Sequence, residues 1–257
     1  MNLKRIKTIA LKDILDSIRD GRIMVALVMP FAFALFIEAT WTSGNDNGPS
    51  ALSLSAQHEY TIFMLIPIVF LIILIAVFVV PIMLAEEAER KTLDVLVMIA
   101  SYREVIAAKA VVGVLYVAIA LGLMLRLIGI NPANAYLFGL GTALLAGTLI
   151  IFGLLLGGLF RNANQLNTWS AVILMPLMVP AIYVPETMTN LPELPGWGEI
   201  ALDANPVSHG LQLMINGITG DSVFDDPIRS IAIIVAWGVT GYMVLLWTLR
   251  RRHLRTN

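Results

Sequence analysis

Cysteine is absent from this 257-residue sequence, and ionisable residues are scarce: 14% are charged and three are histidine. The absence of cysteine excludes disulfides, thiolate nucleophiles and thiolate metal sites. The histidines (His58, His209 and His253) are scattered, and the sequence has no H-E-x-x-H metal motif, no G-x-S-x-G nucleophile turn and no Walker A phosphate-binding loop. These absences argue against an enzyme, predict no metal or cofactor in this chain, and leave any ATP hydrolysis to another chain.

Long apolar runs dominate what is present, because 58% of the residues are hydrophobic, as is typical of a protein solvated by lipid. The net charge of −1 offers no basic surface for nucleic acid. A helix needs about 20 mostly apolar residues to cross a hydrocarbon core about 30 Å thick. By that criterion the sequence predicts six membrane spans, at residues 22–41, 60–85, 105–130, 136–160, 168–185 and 229–249.

Residues at the ends of these runs support the assignment. The third run carries two charges, Lys109 and Arg126, near its ends. Long cationic side chains at such positions reach the lipid headgroups, and we expect both to do so. The three shorter runs have tryptophans at their edges, where an amphipathic ring is favoured: Trp41, Trp169 and Trp247. We therefore predict an all-α polytopic membrane protein that forms one transmembrane domain over residues 1–257.

The positive charges predict the orientation of the spans. Fifteen of the seventeen lysines and arginines fall on one side. They are Lys4, Arg5, Lys7, Lys12, Arg19, Arg22, Arg90, Lys91, Arg103, Lys109, Arg161, Arg250, Arg251, Arg252 and Arg255. By the positive-inside rule that side is cytoplasmic, so both termini, including the basic tail 250–257, are expected in the cytoplasm.

Two segments on the predicted cytoplasmic side have patterns of their own. Residues 1–21 place apolar side chains at helical spacing among lysines, which predicts an amphipathic helix along the membrane surface, although a short soluble helix is the alternative. The 86–104 loop passes from a charge cluster to a short apolar helix. Ser101 and Glu104 then form an S-x-x-E capping box at the start of the third span. The short helix is either a docking site for a cytoplasmic partner or a surface loop resting on headgroups.

The opposite side carries a long acidic loop, residues 186–228. Within it, Asn205 and Pro206 supply a favoured N-cap and first helical residue. Leu211 belongs to the apolar face of the helix that follows, and either Gly217 or Gly220 can end it. This helix is too short to span, so we expect it at the outer interface or dipping into the bilayer.

Proline and glycine divide the spans into two kinds. Prolines in the second and fifth spans free backbone carbonyls and permit bends, which favours mobile or path-lining helices. The candidate path residues are Pro67, Pro176, Pro180 and Tyr183. The third and fourth spans carry small residues four apart, Ala118 with Gly122 and Gly153 with Gly157, which suit close packing in a scaffold.

The 86–100 loop resembles a known family signature. Its pattern Glu86-x2-Glu89-Arg90-Lys91-Thr92-Leu93-Asp94-x-Leu96, followed by Lys109 at the start of a span, is similar to the E-x-x-x-G-T-L-E-x-L-L…K signature of bacterial and archaeal ABC-2-type (type V exporter-like) permeases. The Asn-Pro start of an outer helix and six spans after an amphipathic helix fit the same family. One departure is Lys91, where the family often has glycine.

The resemblance implies the permease subunit of an ATP-driven exporter in the inner membrane of a prokaryote. Its partners would be two ABC ATP-binding subunits that hold ATP and magnesium, a second permease copy or a sister permease, and membrane lipid. Residues 92–100 would be the coupling helix, and the implied coupling residues are Glu86, Glu89, Arg90, Thr92, Leu93, Asp94 and Leu96. The alternative functions are an ATP-independent channel or scaffold and a membrane-embedded enzyme. The substrate stays open among lipids, hydrophobic peptides and drug-like molecules.

Overall fold

The computed structural model describes residues 2–42, 60–160, 162–186, 195–220 and 226–253. Within those ranges the secondary structure is helical, without a strand. Arg161, Arg255 and part of the acidic 186–228 loop lie outside the described residues. The helices are α1 Leu3–Arg19, α2 Gly21–Thr42, α3 Tyr60–Glu89, α4 Thr92–Ile99, α5 Tyr102–Ile128, α6 Ala135–Leu159, α7 Ala163–Glu186, α8 Gly196–Ala204, α9 Pro206–Thr219 and α10 Pro227–His253.

Among the described residues, six helices are long and apolar enough to cross a membrane: α2, α3, α5, α6, α7 and α10. The predicted all-α architecture with six spans is therefore confirmed. Local capping sets two of the starts. Ser101 and Glu104 form the predicted capping box, so α5 begins at Tyr102. Helix α7 begins at Ala163, ahead of its apolar run, because the Asn162 side chain accepts a hydrogen bond from the Asn164 backbone N–H at 2.8 Å.

Helix α3 is the central helix of the bundle. It is the most enclosed span, with 78% of its most apolar window buried, against 22% for each of α2, α7 and α10. Its middle contains a π-helical turn, Ile75–Val79. Pro81 has no N–H, so the Val77 carbonyl loses its usual helical donor, and the buried Ser170 hydroxyl of α7 donates to that carbonyl at 3.1 Å. The backbone carbonyl that Pro81 frees in the second span thus accepts a hydrogen bond from a neighbouring helix.

Replacing Ser170 by alanine should weaken the contact between α3 and α7. The Val77 carbonyl would be left without a donor in an apolar interior, and interhelical hydrogen bonds of this kind are worth about 1 kcal/mol in membrane proteins. We expect a correspondingly lower thermal stability of the purified protein. Thr168→Ala is the control, because the exposed Thr168 hydroxyl bonds the Asn164 carbonyl of its own helix. An equal loss in both variants would contradict the assignment.

Glycines of α6 allow α3 to pack closely against it. A Cβ on Gly153 would lie 1.8 Å from the Ala76 carbonyl oxygen, and one on Gly157 would lie 2.7 Å from the Pro81 carbonyl oxygen. The predicted close packing at these two glycines is confirmed, and the partner is the proline-bearing span. The parallel prediction for Gly122 is wrong among the described residues, because none of them from outside its own helical backbone places an atom within 4 Å of a Cβ there.

Helices α8 and α9 form a hairpin that enters the bundle. The Trp237 indole N–H donates to the Ala204 carbonyl at 2.7 Å, and the Asn205 amide donates to the Pro176 carbonyl at 3.3 Å. Trp237 follows the start of α10 by ten residues, or about 15 Å of helix, which is half of a hydrocarbon core of about 30 Å. Of the two positions predicted for this segment, the structure therefore favours dipping into the bilayer. Helix α9 ends at Gly220, which has a φ of 76°.

Candidate functional site

The short helix α4 lies between the ends of α3 and α5, on the side of the bundle that carries α1. Lys91 makes the sharp turn into it with a φ of 58°, a left-handed conformation that glycine adopts without strain. The Thr92 hydroxyl donates to the Glu87 carbonyl at 3.3 Å. In this chain a lysine therefore makes the turn at the position where the similar family signature often has glycine.

Lys91→Gly should stabilise the protein. A non-glycine residue in the left-handed region carries a penalty of about 1 kcal/mol or more, which glycine removes. We expect a higher melting temperature for this variant. Arg90→Gly provides the control at the neighbouring residue, whose φ of −78° has no strain to relieve, and it should lower the melting temperature. A lower melting temperature in both variants would show that the turn is not strained.

The two faces of α4 have different environments. Leu93 is 6% exposed and packs with Ile6, Val105 and other residues of a buried cluster, and Leu96 is partly buried against it. The opposite face exposes 56% of Val95, 85% of Met98 and 64% of Ile99. We call these three residues the docking face. The side chain of Asp94 lies outside the described residues.

The sequence did not single out Val95, Met98 and Ile99, and the implied coupling residues on this helix included Leu93 and Leu96. Both faces of α4 are apolar, so helical spacing alone does not decide which one packs inward. The nearby Lys91 turn sets the rotation of the helix. Leu93 faces the bundle as a result, whereas Val95, Met98 and Ile99 are the exposed large apolar residues among those described on this helix.

The acidic residues before α4 make contacts within the chain. Glu86 pairs with Arg22, which also bonds Asp20 at 3.0 Å. Partial burial opposes ionisation of Asp20, but the hydrogen bonds from Arg22 hold the pKa of Asp20 below its usual value. Glu89 accepts a hydrogen bond from the Ala163 N–H at 3.0 Å, which places an acidic side chain at the N-terminus of α7. Arg90 lies 3.8 Å from Glu86 and is mostly exposed.

A buried charge cluster, formed by Lys12, Asp13, Glu87 and Lys109, lies behind α4. The Lys109 ammonium lies 2.8 Å from Glu87 Oε2 and 3.2 Å from Asp13 Oδ2, and Lys12 donates to Glu87 Oε1 at 2.9 Å. Lys109 is 0% exposed, so the prediction that it reaches the headgroups is wrong. The cause is the pair of carboxylates that α1 and α3 supply within the bundle. Burial raises the pKa of Asp13, and the charge of Lys109 opposes that rise.

Helix α1 joins the bundle on one face and exposes another. Ile6, Ile9 and Ala10 are buried against the spans, together with Asp13 and Ser17. The second apolar stripe consists of Leu3, Leu11, Leu15 and Ile18, which are between 51% and 77% exposed. Helix α1 is therefore amphipathic, with one apolar face packed against the bundle and a second apolar stripe exposed. Its position along a membrane surface stays a prediction.

The candidate path residues do not lie together. Pro67 is buried inside α3, whereas Pro176 lines an apolar cavity of about 380 Å³ between the hairpin and α3, α6, α7 and α10. Pro180 is buried and Tyr183 is partly buried farther along α7. The remaining cavity walls include Val77, Leu149, Ile173 and Trp237. A role in a transport path stays a prediction for all four candidates.

The outer-helix residues have defined structural positions. The Asn205 side chain accepts from the Val207 N–H at 2.9 Å, and Pro206 occupies the first turn of α9, as the cap pattern predicts. Leu211 is fully buried. In the part of the chain that the structure describes, no group of three or more acidic or histidine side chains is arranged to hold a metal ion.

Residues 10–248 match the family described as "ABC-2 family transporter protein". The match includes all six spans, α4 and the buried charge cluster. No curated protein matches the chain.

Proposed function

Because the chain belongs to the ABC-2 transporter family, and is therefore a permease subunit that pairs with an ABC ATP-binding subunit, we propose that it forms the export path of an ATP-driven exporter. In this proposal two permease subunits, identical or sister chains, form the path, and two ATP-binding subunits drive it with ATP and magnesium. Both termini and α4 face the cytoplasm of a prokaryotic cell, since fifteen of seventeen cationic residues lie on that side.

The docking face of α4 carries this proposal. Three adjacent apolar side chains on an eight-residue helix are more than half exposed, at the end of the bundle where the cationic residues gather. Exposed apolar clusters with a polar rim are typical of protein interfaces, and Met is enriched at the cores of such interfaces. An ATP-binding subunit with an apolar groove would bury this face and push on the joined ends of α3 and α5.

The burial of the spans bears on where a second permease would contact this one. Helices α2, α7 and α10 have only 22% of their apolar windows buried, so each offers a face to a partner or to lipid. The resemblance implies that the first, second and fifth spans approach the dimer axis. Helix α3 is enclosed by its own chain, so α2 and α7 are the better candidates for that contact.

Co-purification from the native host tests the proposal. The tagged wild-type protein should bring down an ATP-binding subunit with Walker motifs, and Met98→Asp should reduce the recovered subunit at least about tenfold, because a charge would be buried in an apolar contact. Ile228→Asp is the matched control, since Ile228 is a 76% exposed apolar residue in the first turn of α10, at the opposite end of the bundle from α4. A wild-type protein that purifies without an ATPase and conducts its cargo without ATP would favour a channel instead.

A further inference from the structure

The apolar cavity of about 380 Å³ beside the hairpin has a closed floor and an open rim. Val77 of α3 and Leu149 of α6 form the floor, and each is 1% exposed. The rim includes Pro176 of α7, Ala201 of α8 and Trp237 of α10, all of which are exposed. The cavity therefore opens at the surface of the bundle between α7 and α10, where α8 borders the opening.

This opening lies at the depth of the lipid acyl chains. Pro176 follows the first residue of α7 by thirteen residues, or about 20 Å of helix, and Trp237 follows that of α10 by ten, or about 15 Å. The two consecutive spans enter the membrane from opposite sides, and a hydrocarbon core is about 30 Å thick. Both distances place the opening well inside that core, where its surroundings are acyl chains and not water or headgroups.

Two carbonyls on the cavity wall lack a helical donor, because a proline lies four residues farther along each helix. The Val77 carbonyl is the one that accepts from Ser170 of α7. Pro180 frees the Pro176 carbonyl in the same way, and the Asn205 amide donates to it at 3.3 Å. Both freed carbonyls thus have a side-chain donor and offer little to a polar ligand.

The two polar side chains of the wall are also paired. The Asn205 oxygen accepts from the Val207 N–H at 2.9 Å, and the Trp237 indole donates to the Ala204 carbonyl at 2.7 Å. The other ten of the twelve described lining residues have apolar side chains. A buried water needs about two to four polar partners, so this wall does not hold water well. An empty cavity would forfeit the dispersion contacts of its lining, which an apolar ligand restores.

We propose that this cavity binds one acyl chain of a membrane phospholipid, which enters between α7 and α10 and leaves its headgroup outside. Pockets for small molecules measure about 300–1,000 Å³, so a volume near the lower limit suits a single chain. The chain packs beside Val77, which belongs to the π-helical turn of α3, and such turns are frequent at functional sites. This lipid is a resident of the permease and not its cargo, so its binding goes beyond the proposed function and needs neither ATP nor a partner subunit.

Photolabelling in a bilayer locates the bound chain. The full-length protein is reconstituted without nucleotide into phosphatidylcholine vesicles that contain a small share of phosphatidylcholine with a diazirine in the middle of one acyl chain. After illumination we expect label on Val77 or Leu149, because a chain reaches the closed floor only by entering the cavity. Label on Ile119 and Leu123, which are exposed on α5, reports ordinary contact with the bilayer and is the internal reference.

Two substitutions that fill the cavity sharpen the test. Ala201→Trp at the rim and Ile173→Trp on the wall each add an indole to the space that the chain needs. Either variant should lose the floor label and keep the label on α5, so a folding failure in one leaves the other to decide. Ala118→Trp, at an exposed position of α5 that does not line the cavity, is the matched control and should keep both labels.

Three results would overturn the proposal. The first is a wild-type protein that is labelled on α5 but not at the cavity floor. The second is a folded cavity-filling variant with as much floor label as the control. The third is floor label that appears only while an ATP-binding subunit hydrolyses ATP, which would identify the chain as passing cargo.

Discussion

Gly153→Ala is expected to prevent recovery of the folded protein, or to lower its stability by more than about 3 kcal/mol. The added Cβ would lie 1.8 Å from the Ala76 carbonyl oxygen and 2.9 Å from the carbonyl carbon. Both are backbone atoms of the central helix, so no side chain can turn aside. Relief requires α3 to move away from α6, and that movement would open the core that α3 fills.

Gly147→Ala is the control on the same helix. No other element among the described residues has an atom within 4 Å of a Cβ at Gly147, and alanine is favoured over glycine within a helix by about 0.5–1 kcal/mol. This variant should therefore melt at the same temperature as the wild type or higher. Expression level and thermal unfolding of the purified variants measure both effects. Comparable stability of the Gly153 and Gly147 variants would show that α3 and α6 are not in close contact.

Lys109→Met should lower the stability of the protein by about 3–5 kcal/mol, the usual effect of removing one partner from a buried ion pair. Asp13 and Glu87 would then remain buried at 4% and 8% side-chain exposure, and Lys12 would be the one cation of the described residues within 4 Å of both. The pair with Glu87→Met should recover most of that loss, because the remaining lysine and aspartate balance each other. A thermal unfolding series of the singles and the pair gives the interaction energy.

Arg126→Met supplies the reference for this series. Arg126 lies on the same helix, is exposed, and makes no ion pair with the described residues. Its replacement should change stability by less than about 0.5 kcal/mol. If Lys109→Met were as mild as Arg126→Met, or if the pair were less stable than either single variant, the cluster would not hold the helices together.

The sequence predicted those parts of the structure that depend on local patterns. Six spans follow from the lengths of apolar runs, and the start of α5 follows from Ser101 and Glu104, three residues apart. The start of α9 follows from Asn205 and Pro206 in the same way. Such features are set by neighbouring residues, so a single sequence is enough to find them.

Contacts between distant residues were not predictable from the same patterns. Lys109 was misjudged because its two ion-pair partners, Asp13 and Glu87, lie on other helices, and a local sequence pattern does not show that the fold brings them to it. The exposed face of α4 did not follow from the sequence because α4 is apolar on both sides, and its rotation depends on the Lys91 turn and on the burial of Leu93 in the bundle. The resemblance located the site on the chain, whereas the fold selects the residues that reach a partner.

The most direct test of the account is a cross-link from the docking face to the ATP-binding subunit. A single cysteine at Met98 in this cysteine-free chain, treated with a short thiol-to-amine cross-linker in native membranes, should give one adduct with a Walker-motif ATPase. A cysteine at Ile200 should give none. An Ile200 adduct in equal yield, or a Met98 cysteine that labels fully and joins no ATPase, would contradict the central claim that α4 couples this permease to ATP hydrolysis.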